Sequence, residues 1–467
     1  MIMEALTLEF VTAACAGQMS GGSPQTTIRR VCTDSRHVEP GDLFIAIKGE
    51  RMDGHEFLSE AARKGAVAVM TEKQAGRPTL ENCARIAVES PRAALGQLAA
   101  RYRLGFALRL TAVGGSNGKT TTKELAAAVL RQRFATIWSE ASFNNDIGVP
   151  LTLLNLEKEH EAGVLEVGTN HPGELDPLLK MIRPHYGIIT NIGREHLEFF
   201  GDVKGVAQEE GRLAEVLPAE GTLFLSGDNE WTERLAERTR ANVVRVGFSA
   251  TNDWRVSELH VDKRGVTFCV AGPQAELAGE YHINLLGRHQ AVNALLALAL
   301  GAHLGLSRGE IQRGFSECKP ARMRMQFWEL NGVRVLDDAY NANADSMVAA
   351  LRTLQELPCE GRKVAVLGDM AELGAHSEAA HEEVGRCAAQ SGVGQLFAVG
   401  KMAAVMARGA RDAGLRRVFE FGDVETAAAA VKSFVKSGDI LLLKASRATR
   451  LERVAEKLRA GEAVRRN

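Results

Sequence analysis

The segment Thr111-Ala-Val-Gly-Gly-Ser-Asn-Gly-Lys-Thr-Thr-Thr122 has the composition of a phosphate cradle. Glycines let backbone N–H groups come close to phosphate oxygens. Lys119 supplies a cation for the β- and γ-phosphates, and the Thr120 hydroxyl suits a Mg²⁺ ligand. A strand-like run precedes the segment. A helical pattern follows it, with Leu125 and Val129, and Ala126 and Leu130, spaced i,i+4. Such a helix turns its positive end toward the anion. The strict loop pattern asks for glycine five positions before Gly118, where Val113 stands, so this is a variant built on Gly114 and Gly115. A glycine-rich turn that only caps a helix is the competing reading. The strand–loop–helix context favours nucleotide phosphate.

Two further residues stand at the ends of strand-like runs, Glu166 in Leu165-Glu-Val-Gly168 and His196 in Asn191-Ile-Gly-Arg-Glu-His-Leu-Glu198. In doubly wound sheets, ligands gather beyond the carboxyl ends of strands. A carboxylate and an imidazole there can hold divalent cations beside a triphosphate. Taken singly, each is also an ordinary solvated Glu or loop His.

The elements that must position these residues fall into three stretches of α/β texture. At about 150 residues per domain, 467 residues make roughly three domains. Residues 1–108 mix strand-like runs at 43–47 and 66–70 with a helical pattern at 57–64, a small α/β unit. Residues 109–318 carry candidate strands at 109–113, 164–167, 187–190 and 222–226, which suggest a parallel sheet. A second strand-rich patch at about 243–285 precedes a long apolar helix at 293–304. Residues 319–467 repeat the alternation, with strands at 333–336, 363–367, 395–399, 417–421 and 440–443 and a closing amphipathic helix. This third stretch reads as a Rossmann-like domain. The alternation of Met323, Met325, Phe327 and Trp328 reads as a half-buried strand. His55 and His381 are open between polar core and function.

Charge narrows the partners. Lys and Arg number 57 and Asp and Glu 58, a formal net charge of −1, which disfavours a general nucleic-acid binder. The longest apolar stretch, 294–306, is shorter than a membrane span and carries His303, so no membrane insertion is expected. Glu4 and Glu9 stand where an export signal would carry Lys or Arg. Seven scattered cysteines without a C-x-x-C fit reduced thiols, and a cytoplasmic location is expected. Nothing demands an oligomer, so a monomer is expected.

Gly115-Ser-Asn-Gly-Lys-Thr-Thr121 resembles the ATP loop of the Mur ligases and the related folylpolyglutamate synthetases. Asn144-Asn-Asp-Ile-Gly-Val-Pro150, Glu166-Val-Gly168 and Gly287-Arg-His-Gln-Ala-Val-Asn293 follow in that family's order. Four segments resemble the branch that joins D-alanyl-D-alanine to a UDP-N-acetylmuramoyl tripeptide. They are Asp337-Asp-Ala-Tyr-Asn-Ala-Asn-Ala-Asp-Ser-Met347, Val366-Leu-Gly-Asp-Met-Ala-Glu-Leu-Gly374, Glu166-Val-Gly-Thr-Asn-His-Pro-Gly-Glu174 and Lys444-Ala-Ser-Arg447. Asp34-Ser-Arg36, Pro40-Gly-Asp-Leu-Phe44, Gly49 and Asp53-Gly-His55 are similar to a UDP-binding domain shared with the preceding ligase of the pathway.

The resemblance implies ATP-driven amide ligation. An acyl phosphate forms on the tripeptide carboxylate and the dipeptide amine then attacks it, with ATP and two Mg²⁺ as cofactors. It implies that Gly115, Ser116, Asn117, Gly118, Lys119, Thr120 and Thr121 cradle the phosphates, and that Thr120, Glu166 and His196 hold metal. Asn293 matches an adenine contact, while Gln290 stands where the family usually has a second Asn. Arg324 fits the γ-phosphate arginine best, with Arg322 as the alternative. Asp338, Tyr340 and Asn341 match the nucleotide-facing segment. Ser35 and Arg36 would sit near uridine diphosphate. Asn144, Asn145, Thr169, Asn170 and His171 would face the muramoyl peptide, and Ser446 and Arg447 the dipeptide. Lys119, Glu166, His196 and Arg324 are thus the expected catalytic set.

One departure stands out. Many relatives carry a lysine, modified by CO₂ to a carbamate, that supports the second metal; Glu210 occupies that place here. Glutamate keeps the charge without bicarbonate but is shorter by roughly three bonds, ~4 Å extended. It is expected to support the second ion through water or a backbone shift, against the plain alternative of a solvated helix residue. The ligase that adds the third amino acid would carry Asp-Asn-Pro-Arg, which is absent. A nucleotide switch without ligation leaves the first domain and the C-terminal motifs unexplained. The position of Arg324 and Arg447 in the third domain implies that this domain closes over the nucleotide.

Overall fold

The computed structural model describes residues 3–49, 52–74, 80 and 82–460. The outermost residues of the predicted first and third domains lie outside these. The phosphate-loop strand, Arg109–Gly114, is buried after its first residue and reads as continuous apolar sequence, as a strand covered on both faces must. It pairs in parallel with Ala162–Glu166 on one side and Tyr186–Ile189 on the other. The chain order therefore reverses at this strand, which makes it the switch point of the sheet. Thr136–Trp138 forms one edge, and Thr222–Ser226, Asn242–Gly247 and Trp254–Asp262 extend the sheet in parallel the other way. Gly265–Ala271 and Gly279–Ile283 then add antiparallel, completing nine strands.

The helix Lys119–Leu130 leaves the loop and packs against His289–His303 and Arg308–Glu317. His289–His303 begins four residues before the sequence-based expectation of 293. Its first turn is polar, because Arg288, His289, Gln290 and Asn293 line the cleft rather than the core, so the apolar signal starts late. Small residues let these helices come close. A Cβ on Gly314 would lie 2.6 Å from Val129 Cα and 2.8 Å from the Ala128 carbonyl.

The sheet near the N-terminus has five strands. Val31–Cys32, Leu43–Ile45, Ala68–Glu72 and Ala84–Val88 run parallel, and Gln18–Ser20 closes one edge antiparallel. His55 is structural here: its Nε2 accepts the Glu72 N–H at 3.1 Å and its Nδ1–H donates to Asp53. The helix Pro91–Arg103 joins this sheet to the central one. Leu95, Leu98 and Tyr102 share a core with Leu153, Leu178 and Ile182.

The C-terminal sheet runs in the order Gln326–Leu330, Val333–Asp337, Ile440–Lys444, Lys363–Gly368, Gln395–Val399, Val418–Phe421, parallel except for the first pair. Separate apolar cores cover its two faces. Phe327 and Trp328 lie in the edge strand as expected. Met323 and Met325 do not: both have positive φ and precede it, because this stretch turns to bring Arg324 into the cleft. His381 is fully buried, with Nε2 accepting the Met370 N–H and Nδ1–H donating to the Ser377 carbonyl, so it is a core residue.

Gly314→Ala forces the Arg308–Glu317 helix off the backbone of the phosphate-loop helix. It should destabilise by about 1–3 kcal/mol, read as a lower thermal midpoint. An unchanged midpoint would show that the two helices separate freely.

Candidate active site

The phosphate loop is held from beneath and beside. The Gly115 N–H donates to Glu210 Oε2 at 2.6 Å, and the Ser116 N–H to the Asn191 carbonyl at 2.8 Å. Asn117 N–H donates to Asn191 Oδ1 at 3.0 Å, and Ser116 Oγ accepts from the Gly193 N–H at 2.8 Å. These bonds use up the early N–H groups. The helix then starts at Lys119, and the first-turn N–H groups of a helix have no partner within it. Gly115 must be glycine: φ is +106°, and a Cβ would lie 2.5 Å from Thr190 Oγ1. Val113, the departure from the strict pattern, is a fully buried strand residue, so the turn simply begins later.

Lys119 Nζ donates to the Gly115 and Ser116 carbonyls and lies 3.3 Å from Glu195 Oε2. Burial works against its charge, but the carboxylates of Glu195, Glu210 and Glu166 outweigh that and hold its pKa up. Glu166 ends its strand opposite Val113. Its Oε1 accepts from Asn144 Nδ2 at 2.9 Å, while Oε2 is buried with no protein partner. Glu195 Oε1 is in the same condition. Thr120 Oγ1 lies 3.5 Å from Ser142 Oγ, which accepts from Arg324 Nη2 at 3.2 Å. The Arg324 guanidinium also lies over the Tyr340 ring, 4.2 Å from its centroid. Arg322 is exposed outside the cleft.

A cleft of about 1540 Å³ runs over these groups. Of the residues expected from the sequence it brings together Ser116, Asn117, Gly118, Lys119, Thr120, Thr121, Asn144, Asn145, Glu166, Thr169, Asn170, His196, Asn293, Arg324, Asp338, Tyr340, Asn341 and Arg447. Asn293 packs on the loop: a Cβ on Gly118 would lie 2.6 Å from its Oδ1, and Gln290 Oε1 accepts from its Nδ2 at 2.8 Å. Asn145 Oδ1 also accepts the N–H of Gly148, the first residue of the helix Gly148–Leu153, at 2.9 Å. Ser35, Arg36, Gly115, His171, Glu210 and Ser446 are not among the lining residues. Ser35 and Arg36 lie in the short helix Ser35–His37 of the N-terminal sheet's domain, and Ser446 is buried. His171 is half exposed, pairs with Glu174 and packs at a tilt against the Phe199 ring.

Glu210 is not a solvated helix residue. It has no exposed surface, lies beneath the loop, and its Oε1 is buried without a partner. Burial pushes its carboxyl up to about 7, against the pull of Lys119 and the Gly115 N–H. Glu195 is the buried partner of Lys119, and its one signal in the sequence is adjacency to His196. Lys444 carries no signal beyond its place in the motif Lys444-Ala-Ser-Arg447. It is nearly buried, donates to Asp338 Oδ2 at 2.6 Å, and fixes the segment that carries Tyr340.

The donor set fits a hard divalent ion held partly by a ligand's own oxygens. Glu166 and Glu195, each with one buried carboxylate oxygen that lacks a partner, line the same cleft as Thr120. Among the described residues, no three His, Cys, Asp or Glu side chains form a cage alone. Mg²⁺ is commonly bound that way, by one or two carboxylates plus substrate phosphates.

Burial pushes His289, which lines the cleft near Asp338 and Lys444, down to about 4. Between that value and the ordinary histidine range the unfolded chain binds a proton that the folded one refuses. Stability is therefore lost as pH falls from about 6.5 to about 4. His289→Gln should flatten that part of a thermal-midpoint profile; an unchanged slope would place the acid sensitivity elsewhere.

Three family models match the chain. "Mur ligase family, catalytic domain" covers residues 27–103, "Mur ligase middle domain" 113–301 and "Mur ligase, glutamate ligase domain" 323–447. The UDP-N-acetylmuramoyl-tripeptide–D-alanyl-D-alanine ligase of Bacillus subtilis is 35% identical over 93% of this chain and 94% of its own. Its counterpart in Escherichia coli is 37% identical over 85% and 87%. Among solved structures, MurF from Acinetobacter baumannii superposes with a TM-score of 0.88 at 31% identity, covering 98% and 99%. MurF from Thermotoga maritima, solved in complex with ADP, gives 0.81 at 27% identity, covering 94% and 98%. A folylpolyglutamate synthase of Mycobacterium tuberculosis shares the fold, with a TM-score of 0.64 at 16% identity. Matched along nearly its whole length, this chain belongs to the Mur ligase family.

Proposed function

We propose that the chain joins D-alanyl-D-alanine to a UDP-N-acetylmuramoyl tripeptide, with ATP cleaved to ADP and phosphate. The observation that carries this reading is the meeting, in one cleft, of the phosphate loop with Asp338, Tyr340 and Asn341 of the C-terminal sheet. The relatives with that name match over both stretches. Three jobs follow for residues 1–108, 109–318 and 319–467: holding the UDP-sugar end, holding ATP, and presenting the dipeptide. The expected setting is the cytoplasm, and the expected unit a monomer.

The residues divide the work by charge. The loop and the start of the helix at Lys119 receive the triphosphate, and Lys119 sets a cation against its β- and γ-phosphates. Arg324, braced on Tyr340 and Ser142, aims a second cation at the transferring phosphoryl group from the opposite wall. Asn144 orients Glu166. Asn145, Thr169 and Asn170 line the side where the tripeptide carboxylate would enter, and Arg447 faces the dipeptide. The carboxylate takes the γ-phosphoryl group to form an acyl phosphate. The dipeptide amine attacks the carbonyl carbon, and phosphate leaves with the bonding pair. Thr120 and Glu166 would hold one Mg²⁺ and His196 the other, which together offset the charge of the phosphoryl oxygens. Enclosure between the sheets keeps water from the acyl phosphate.

Phosphate release should require both a UDP-muramoyl tripeptide and D-alanyl-D-alanine, with a product whose mass equals their sum less one water. Hydrolysis without either acceptor would favour a nucleotide switch, and product with a free amino acid on the dipeptide precursor would favour the preceding ligase. Comparing tripeptides with diaminopimelate or lysine in third place identifies the natural one.

Glu210 braces the loop from beneath through the Gly115 N–H, opposite Lys119; direct support of the second ion would need a water or a backbone shift. Glu210→Ala should lower activity sharply. The unmodified protein should keep full activity when bicarbonate and CO₂ are stripped. Loss of activity on stripping would sink the assignment.

A further inference from the structure

The motif Val366-Leu-Gly-Asp-Met-Ala-Glu-Leu-Gly374 has no part in the cleft described above. None of its residues lines it. Yet it reaches the site by another route. The carboxylate of Glu372 accepts a hydrogen bond from His196 Nδ1 across the boundary between the two sheets. The contact is over-determined. The Glu372 carbonyl accepts the Glu198 N–H at 3.0 Å, and His376 Nε2 faces the Gly201 carbonyl at 3.1 Å. Both partners have left-handed backbone, φ +60° at Glu372 and +48° at His196. For residues other than glycine such conformations persist only where the surroundings enforce them.

The bond fixes more than position. An ionised carboxylate only accepts, so His196 Nδ1 must carry the proton. In the neutral imidazole Nε2 keeps its lone pair. It faces Glu195 Oε2 at 3.9 Å, and that same oxygen lies 3.3 Å from Lys119 Nζ. Two acceptors facing each other at this separation are what a cation between them satisfies. Metal-binding histidines take their tautomer from the partner of the other ring nitrogen.

We propose that Glu372 is a positioning residue for His196. It locks the Nδ1–H tautomer and the ring orientation, and so presents Nε2 to a divalent cation at the phosphate end of the cleft. Because Glu372 belongs to the C-terminal sheet's domain, this presentation exists only while that domain is docked. The inference rests on the reading of the cleft as a nucleotide–metal site.

The test separates the two. In ligand-free protein labelled with ¹⁵N- and ¹³C-histidine, the His196 ring, assigned by its loss in His196→Asn, should show the Nδ1–H signature. Glu372→Ala should move it toward the Nε2–H form. Glu372→Gln, whose amide oxygen still accepts from Nδ1, should keep it. In the ligase assay, Glu372→Ala should raise the Mg²⁺ needed for half-maximal rate by about 10–100-fold, and Glu372→Gln should recover most of that loss. An unchanged ring signature in Glu372→Ala overturns the proposal whatever the protein ligates. So does a changed signature with unaltered Mg²⁺ dependence. Absence of ligation with the signature behaving as stated would instead count against the functional reading.

Discussion

A phosphate loop must be rigid without spending on itself the N–H groups it offers to a ligand. Here the rigidity comes from outside the loop. Glu210 holds Gly115, Asn191 holds Ser116 and Asn117, and Gly193 is tied to Ser116. The bonds fall on the first residues of the turn and stop where the helix begins. The remaining architecture serves that division. The central strand brings the loop to the switch point, two helices grip the helix behind it, and the segment 190–196 forms its side wall.

The same wall connects loop and third domain. Arg194 donates to Asp345 at 2.7 and 2.8 Å and to Glu383 at 2.6 Å. Asn117 Oδ1 accepts from Asn343 Nδ2 at 3.0 Å. Polar contacts of this kind specify one docked orientation while burying little apolar surface. By contrast, the first domain shares an apolar core with the middle one through the helix Pro91–Arg103. One boundary is therefore cemented by a shared core, and the other combines these polar latches with the packing of Leu286 and Val261 on the last domain's core. That fits a reaction in which the nucleotide and its sugar-linked acceptor stay on one body while the last substrate arrives on another.

Much of this was legible in the residues. The strand at Thr222–Ser226 agrees with expectation, and Lys119, Glu166, His196 and Arg324 line one cleft. Types and spacing report local structure well when period and flanking turns agree. They fail where a residue's neighbours come from far along the chain. Glu195 looks like any exposed glutamate until the fold sets it 76 positions away against Lys119. Glu210 stands where the resemblance expects support for the second ion, but its full burial beneath the loop is not legible from its sequence neighbours. The late start assigned to the helix at His289 came from polar residues that face a cleft rather than solvent. Met323 and Met325 alternate like a strand, but the turn that delivers Arg324 overrides the pattern.

The apolar cores have an order in time as well as in space. Those of the first and middle domains, which use residues between Met3 and Cys318, contain nothing from beyond Cys318. The two cores of the last domain draw on residues from Leu286 onward. A chain emerging from the ribosome can thus bury the phosphate-loop strand and its helices before the edge strand Gln326–Leu330 has been made. Domains generally fold as units, the N-terminal one first. The nucleotide end of the cleft is then built ahead of the wall that completes it, while Leu286 and Val261 wait for the last domain to cover them.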